Sequence, residues 1–180
     1  MNRLQLSAGV TQDISTAESP TVSCDLQYYS MGMRTTIYGY IEEMDFWKDP
    51  IRKQVRKHNF HVIRSLPEDD NWPPLSKGMF AISSNRKNSP GPNIEYFSRI
   101  IHFGANLKSV ERDWQEWKAK FEILLINLYF LDAKVHFKTE YSPLETSEWR
   151  IDLSKYHVIH DNRMPRQVTT AEWDYKSSYE

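Results

Sequence analysis

The hydrophobic pattern of this chain changes its period between residues 109 and 141. Steps of three and four place side chains on one side of an α-helix, and strict alternation places them on one face of a β-strand. At ~1.5 Å per residue, the predicted helix extends roughly 30 Å. The helix positions are Val110, Trp114, Trp117, Phe121, Leu124 and Leu128, and the strand positions are Val135, Phe137, Thr139 and Tyr141. We expect the side chains of Trp114, Trp117, Phe121 and Leu124 to be interior anchors that hold this helix on a sheet.

Further strands and one shorter helix are indicated along the rest of the chain. β-Branched and aromatic residues predict the strands. Asp49 followed by Pro50 predicts the N-cap and first position of a helix that ends at His58 and Asn59. Gly39 in the first strand indicates that another backbone passes close to it. The predicted strands are 35–43, 60–66, 79–84, 94–103 with Gly104 as its end, 134–141 and 148–153.

These elements follow the order β, α, β, β, β, α, β, β. Short links between neighbours favour antiparallel pairing. We therefore expect a single α+β domain, a mainly antiparallel sheet with both helices packed on one face. A ferredoxin-like core with added strands is one specific version of this fold. We assign residues 31–156 to this domain, residues 1–30 to a flexible N-terminal extension rich in Ser and Thr, and residues 157–180 to a C-terminal tail.

Composition bounds the compartment and the partners. The chain has 180 residues, a formal net charge of −1 and an aromatic content of 13%. Because the net charge is close to zero, the chain has no overall attraction to nucleic acid or to anionic membranes. Because aromatic side chains bury a large area each, relatively few of them can build its core. Cys24 is the only cysteine, which excludes an internal disulfide. Neither a signal peptide nor a run of about 18 apolar residues is present, so we expect a cytoplasmic protein without a membrane partner.

No sequence motif for catalysis or for a bound cofactor is found. With 6 glycines, the chain has neither a dinucleotide fingerprint nor a P-loop, and no Gly-x-Ser-x-Gly elbow presents a nucleophile. The tightest metal candidate is the group of His157, His160 and Asp161, but its segment lacks the helix that would bring the two imidazoles together. We expect no catalytic residue, no metal and no cofactor. A deep pocket lined by convergent His and carboxylate side chains would instead favour an enzyme.

A run of basic residues lies on the shorter predicted helix. Arg52, Lys53, Arg56 and Lys57 could neutralise phosphates, while tyrosines of the first strand could stack on bases. The same cations also suit a solvated helix face near the negative end of the helix dipole. A nucleic-acid-binding or regulatory domain is therefore the alternative function.

Acidic and aromatic residues occur side by side at two places, the exit of the first strand and a loop stiffened by two prolines. A stiff loop loses little entropy on docking, and an aromatic anchor beside steering charges is typical of protein interfaces. The pattern predicts a surface for a basic protein partner; in the other interpretation, both tryptophans fill the edge of the core. The candidate binding residues are Glu42, Glu43, Asp45, Trp47, Glu68, Asp69, Asp70 and Trp72.

Three segments carry a family resemblance. They are IYGYIEE at 37–43, LPEDDNWPPL at 66–75 and WQEWKAKFEILL at 114–125. In this order and spacing they resemble a group of small bacterial proteins associated with immunity in contact-dependent inhibition and other polymorphic toxin systems. The resemblance covers residues 33–152 and transfers no site to individual residues. It implies a non-catalytic cytoplasmic binder that masks the active site of a cognate toxin domain, often a nuclease.

Overall fold

The computed structural model describes residues 34–83, 98–156 and 164–179. The strands are β1 (Arg34–Glu43), β2 (Phe80–Ile82), β3 (Ile100–Lys108), β4 (Phe130–Thr139), β5 (Glu145–Ile151) and β6 (Trp173–Tyr179), and the helices are α1 (Ile51–Ser65) and α2 (Trp114–Ile126). All six strands join in one antiparallel sheet with the order β2-β3-β1-β4-β5-β6. The predicted α+β class is therefore confirmed.

The connections place each helix across an intervening strand. α1 leads from β1 to β2, which are separated by β3, and α2 leads from β3 to β4, which are separated by β1. β5 and β6 extend the sheet beyond β4. The first six elements have the β-α-β-β-α-β order of a ferredoxin-like core, and that name stays a prediction for this chain.

One face of the sheet packs against both helices through aromatic rings and a buried polar contact. The centroid of the Phe121 ring on α2 lies 5.1 Å from that of Phe103 in β3 and 5.3 Å from that of Trp149 in β5. α1 reaches the same face through a hydrogen bond from Asn59 to Glu43 of β1. The predicted interior anchors are confirmed, because Trp114, Trp117, Phe121 and Leu124 are at most 5% exposed.

α2 is shorter than the apolar pattern predicts. It contains 13 residues, which correspond to about 20 Å. The chain enters it through a separate 3-10 turn at Val110–Arg112, preceded by Ser109 in the left-handed region at φ 61°. Val110 and Leu128 are both fully buried, so the apolar stripe continues beyond the two ends of the regular helix.

α1 continues to Ser65 and includes residues 60–65, so the predicted strand at 60–66 and the predicted helix end at Asn59 are wrong. Asn59 is buried although it is polar, because its side chain donates to Glu43 Oε1 and accepts from the backbone N–H of Tyr129. This polar residue interrupts the apolar stripe in the sequence. The buried side chains recur every four residues, at Ile51, Val55, Asn59 and Ile63.

Two glycines in adjacent strands have different roles. The sequence analysis predicts that Gly104 ends its strand, and this prediction is wrong. Gly104 lies within β3 and pairs with Tyr38 of β1. A Cβ atom added at Gly39 would lie 1.9 Å from the carbonyl oxygen of Lys134 and 2.7 Å from Cζ of Phe103. The expected close approach at Gly39 is therefore present, and the Phe103 ring uses the space.

The predicted hairpin is formed by β4 and β5, with Phe137 opposite Glu145. The predicted C-terminal tail contains β6, which pairs with β5 along its whole length. The sequence analysis assigned no strand here, although Trp173, Tyr175 and Tyr179 alternate with polar residues. Trp173 and Tyr175 contact Phe130 and Trp149, while all residues of β6 except Trp173 are exposed. The predicted extension at 1–30, residues 84 and 94–97 of two predicted strands, and residues 157–163 lie outside the described residues.

Candidate partner-binding site

The loop between α1 and β2 carries one of the two predicted clusters and is held by α2. The ammonium group of Lys120 donates to Asp70 Oδ2 at 3.0 Å, to the carbonyl of Asn71 at 2.7 Å and to the carbonyl of Pro73 at 2.9 Å. Asp70 also accepts the backbone N–H of Leu75 at 2.9 Å. Burial opposes ionisation, but the bonds from Leu75 and Lys120 hold the pKa of Asp70 below its usual value. Asp70 therefore holds the loop together.

Two further bonds close this loop at its ends. The indole N–H of Trp117 donates to the carbonyl of Pro74 at 3.1 Å. The backbone N–H of Lys77 donates to the carbonyl of Pro67 at 2.9 Å. The side chains that point to solvent are thus presented on an ordered backbone, which reduces the entropy lost on binding.

Trp72 is the aromatic residue that this loop exposes. Trp72 is 47% exposed, and its indole N–H donates to Asp113 Oδ2 at 2.6 Å. Asp69 is exposed, and the Glu68 side chain, 76% exposed, pairs with Lys77. The hydrogen bond from Lys77 lowers the pKa of Glu68, so this carboxylate is ionised at neutral pH.

Two acids at the start of α2 extend this cluster: Asp113 directly precedes the helix, and Glu116 lies in its first turn. Asp113 contacts Trp72 directly, and the exposed Glu116 lies between Asp113 and Lys120 at helical spacings of three and four, on the same side of the helix. The sequence analysis missed both acids because it used α2 only for its apolar side. We define the acidic loop surface as Glu68, Asp69, Trp72, Asp113 and Glu116.

The other predicted cluster, at the end of β1, is largely interior. Glu43 is 1% exposed and forms a two-pronged pair with Arg99, at 2.6 Å from Nε and 2.7 Å from Nη2. Trp47 is 5% exposed and belongs to the hydrophobic core. Glu43 and Trp47 therefore support the fold instead of offering a binding surface, and the interpretation that Trp47 fills the core edge applies.

Asp45 and Glu42 are also held by neighbours. The Asp45 side chain is 10% exposed and lies 3.1 Å from Arg56 and 3.7 Å from Arg52. Burial raises the pKa of Asp45 by more than these two cations lower it. Glu42 accepts a hydrogen bond from Ser98 Oγ at 2.5 Å. It lies on the sheet face away from the helices, so it does not join the acidic loop surface.

The basic residues of α1 are mostly engaged in ion pairs. Asp49, which was predicted to cap the helix, makes no cap and instead lies 3.4 Å from Arg52 and 2.9 Å from Lys53. Arg56 pairs with Asp45, and Lys57 is exposed with no ion pair to the described residues. These acids cancel much of the local positive charge. Tyr38, the exposed tyrosine of β1, also lies on the sheet face opposite α1.

A groove of about 390 Å³ lies beside the acidic loop, between the end of α1 and α2. Its walls include Val62, Leu66, Leu75 and Leu124, with Ile123 at the rim, 61% exposed. The sequence analysis missed the groove because it placed Val62 and Leu66 in a strand. Ile123 was a usable signal, since it is an apolar residue outside the buried side of α2.

The described residues contain no group of three or more His, Cys, Asp or Glu side chains that could hold a metal ion. The candidate at His157, His160 and Asp161 and the lone Cys24 lie outside them. No described helix has the length and apolar character that a membrane crossing requires. Comparison of the chain with protein-family models, curated proteins and solved structures found no match.

Proposed function

We propose that this protein is a non-catalytic, cytoplasmic immunity-type protein that binds a cognate toxin domain through the acidic loop surface. The observation that carries the proposal is Trp72, an indole with half of its surface exposed on a loop that Lys120 and Trp117 hold from below. The family resemblance of the three segments supports a toxin as the partner, and this geometry supports the choice of binding surface.

Trp72 has the properties of an interface anchor. Tryptophan is enriched among residues that dominate binding energy, particularly when a partner pocket desolvates it. Its hydrogen bond to Asp113 restrains the ring before binding, so little side-chain entropy remains to be lost. The adjacent groove, with Ile123 at its rim, offers an apolar recess for a side chain of the partner.

The charge of the surface selects the partner. Asp113 contacts Trp72, Asp69 precedes it in the same loop, and Glu116 is exposed in the first turn of α2. Lys77 offsets the charge of Glu68, so the other three acids would attract a basic surface and increase its association rate. Nucleases bind phosphates through Lys and Arg. An acidic surface that occupies such a site competes with the nucleic acid substrate, which explains how binding would neutralise the toxin without any chemical step.

The test uses the toxin domain encoded next to this gene. Trp72→Ala should weaken binding by at least about 2 kcal/mol, or roughly 30-fold in Kd, and should remove protection of cells that express the toxin. The matched control is Phe60→Ala, because Phe60 is similarly exposed at 41% and lies on the side of α1 away from Val62 and the groove. Binding is measured by calorimetry after circular dichroism confirms that both variants are folded.

A charge variant tests the steering step separately. Asp69→Lys should lower the association rate and weaken its dependence on salt, with a smaller effect on dissociation. Equal Kd values for the native protein, Trp72→Ala and Phe60→Ala would refute this binding surface. Absence of binding and of protection by the native chain would refute the immunity-type function itself.

A further inference from the structure

β6 forms one edge of the sheet, and no strand in the described part of the chain pairs with its outer side. It contains seven residues without proline or glycine, and its pairing with β5 has no register shift. Proteins commonly protect edge strands with proline, bulges, very short strands or charges. β6 has only two charged residues, Asp174 and Lys176, and their signs are opposite.

The backbone of β6 presents hydrogen-bonding groups to this open side. Asp152 N donates to Glu172 O at 2.8 Å, and these residues are directly opposite in the register that continues with Arg150 opposite Asp174. Bonded and non-bonded pairs alternate along antiparallel strands. The groups bonded to β5 are therefore those of Asp174, Lys176 and Ser178, and the outward groups are those of Trp173, Tyr175, Ser177 and Tyr179.

Charged side chains form two rows across the sheet face that lies away from the helices. Ion pairs join Lys134 to Glu148 and Arg150 to Asp132. Each row continues to β6 through the strand register, and the sign alternates along it. The rows are Lys134, Glu148 and Lys176, and Asp132, Arg150 and Asp174, so they reach the edge with opposite signs.

We propose that β6 pairs antiparallel with β6 of a second copy of this chain, in the register that places Tyr175 opposite Tyr175. Outward-facing residues then meet outward-facing residues, since Trp173 lies opposite Ser177 of the other copy. Each such pair exchanges two backbone hydrogen bonds. Asp174 of each copy lies opposite Lys176 of the other, and both charge rows continue across the two-fold axis with alternating sign. This homodimer is independent of the proposed toxin-binding function.

Charge selects this register among those that the backbone allows. Registers centred on Asp174 or on Lys176 place like charges directly opposite, which destabilises a strand pair. The register centred on Ser177 places Lys176 opposite Ser178 and forms no ion pair there. Asp174 also lies 3.5 Å from Lys155, but both side chains are more than half exposed at 60% and 51%, so the carboxylate is accessible to a second cation.

The experiment measures the mass of the full chain by sedimentation and light scattering over a wide range of concentrations. The native chain is expected to form a dimer. Asp174→Lys and Lys176→Asp each place like charges opposite in both cross-strand pairs, and each should raise the dimer Kd at least about tenfold. An equimolar mixture of these two variants should form a heterodimer, because both charge pairs between the two copies are then attractive. The double variant Asp174→Lys/Lys176→Asp should recover the homodimer.

Recovery in the mixture separates the proposed pairing from a folding defect. If either single variant loses its native circular dichroism spectrum, Ser177→Pro is compared with Ser177→Ala. The proline removes an N–H that β5 does not use and should give a monomer, whereas the alanine variant should remain a dimer. The proposal is overturned if the native chain is monomeric at all concentrations. A chain that stays monomeric by itself and pairs through β6 only with a strand of another protein also overturns it. It is also overturned if the dimer persists in the single charge variants or in Ser177→Pro, or if the folded mixture stays monomeric.

Discussion

Asn59 connects α1 to the sheet and offers the most direct test of this packing. Asn59 is fully buried, and its side-chain nitrogen donates to Glu43 Oε1 and to Tyr129 O, both at 3.0 Å. Its side-chain oxygen accepts from Tyr129 N at 2.9 Å. Asn59→Ala removes these three bonds at once and leaves the surrounding polar groups inside the protein.

The expected loss follows from what each partner retains. Tyr129 O still accepts from Met44 N at 3.1 Å, and Glu43 still pairs with Arg99. Tyr129 N has no other acceptor among the described residues. An unsatisfied buried N–H costs about 1–3 kcal/mol, and each of the two other lost bonds costs about 1 kcal/mol. The free energy of unfolding should therefore fall by about 3–5 kcal/mol, and the melting temperature by roughly 10 °C.

Urea unfolding followed by tryptophan fluorescence and far-ultraviolet circular dichroism measures this loss. The matched control is Gln54→Ala, because Gln54 is an exposed polar residue of the same helix, and its removal should change stability by less than about 0.5 kcal/mol. A loss below about 1 kcal/mol for Asn59→Ala would refute the reasoning. So would equal losses in the two variants, because the buried network would then contribute nothing specific.

Two further predictions concern the backbone and the C-terminal segment. Gly39→Ala should destabilise the fold by about 3 kcal/mol or more, since the new Cβ would lie 1.9 Å from the Lys134 carbonyl oxygen. Gly104→Ala is the control, because its new Cβ would lie 3.5 Å from the nearest atom, and it should be tolerated in the same urea assay. Equal losses in the two variants would contradict the close approach at Gly39. The hydrogen bond from Arg166 lowers the pKa of Glu172 from 4.5 to about 2, so this carboxylate contributes stability above pH 4.5 that is lost as the pH falls towards 2. Glu172→Gln should flatten the dependence of unfolding free energy on pH in this window, and an unchanged pH profile would contradict this role.

Local patterns predicted the elements that have one buried and one exposed side. β1, the β4–β5 hairpin and the aromatic side of α2 belong to this group. Val135, Phe137 and Thr139 are buried as predicted, whereas Tyr141 lies beyond the end of β4 and is 81% exposed. The errors have specific physical causes. Asn59 replaces an apolar residue in the buried stripe of α1, and its partners Glu43 and Tyr129 come from other parts of the chain. Most of β6 is exposed and only Trp173 is partly buried against the core, so backbone pairing with β5 contributes more to this strand than an apolar face does.

The candidate surface depended on the tertiary structure to a greater degree. Trp47 and Trp72 both lie beside acidic residues in the sequence, yet the first is 5% exposed and the second 47%. Glu43 is drawn into the interior by a pair with Arg99, 56 residues later. The loop that carries Trp72 is held by Lys120, which lies 50 residues after Asp70.

The amino-acid sequence by itself determined the α+β class and the aromatic face of α2, because the direction of a side chain relative to its own helix or strand is a local property. Only the tertiary structure decided that Trp72 is exposed and Trp47 is interior. Exposure depends on which distant segments cover a residue, and a local period contains no information about those segments.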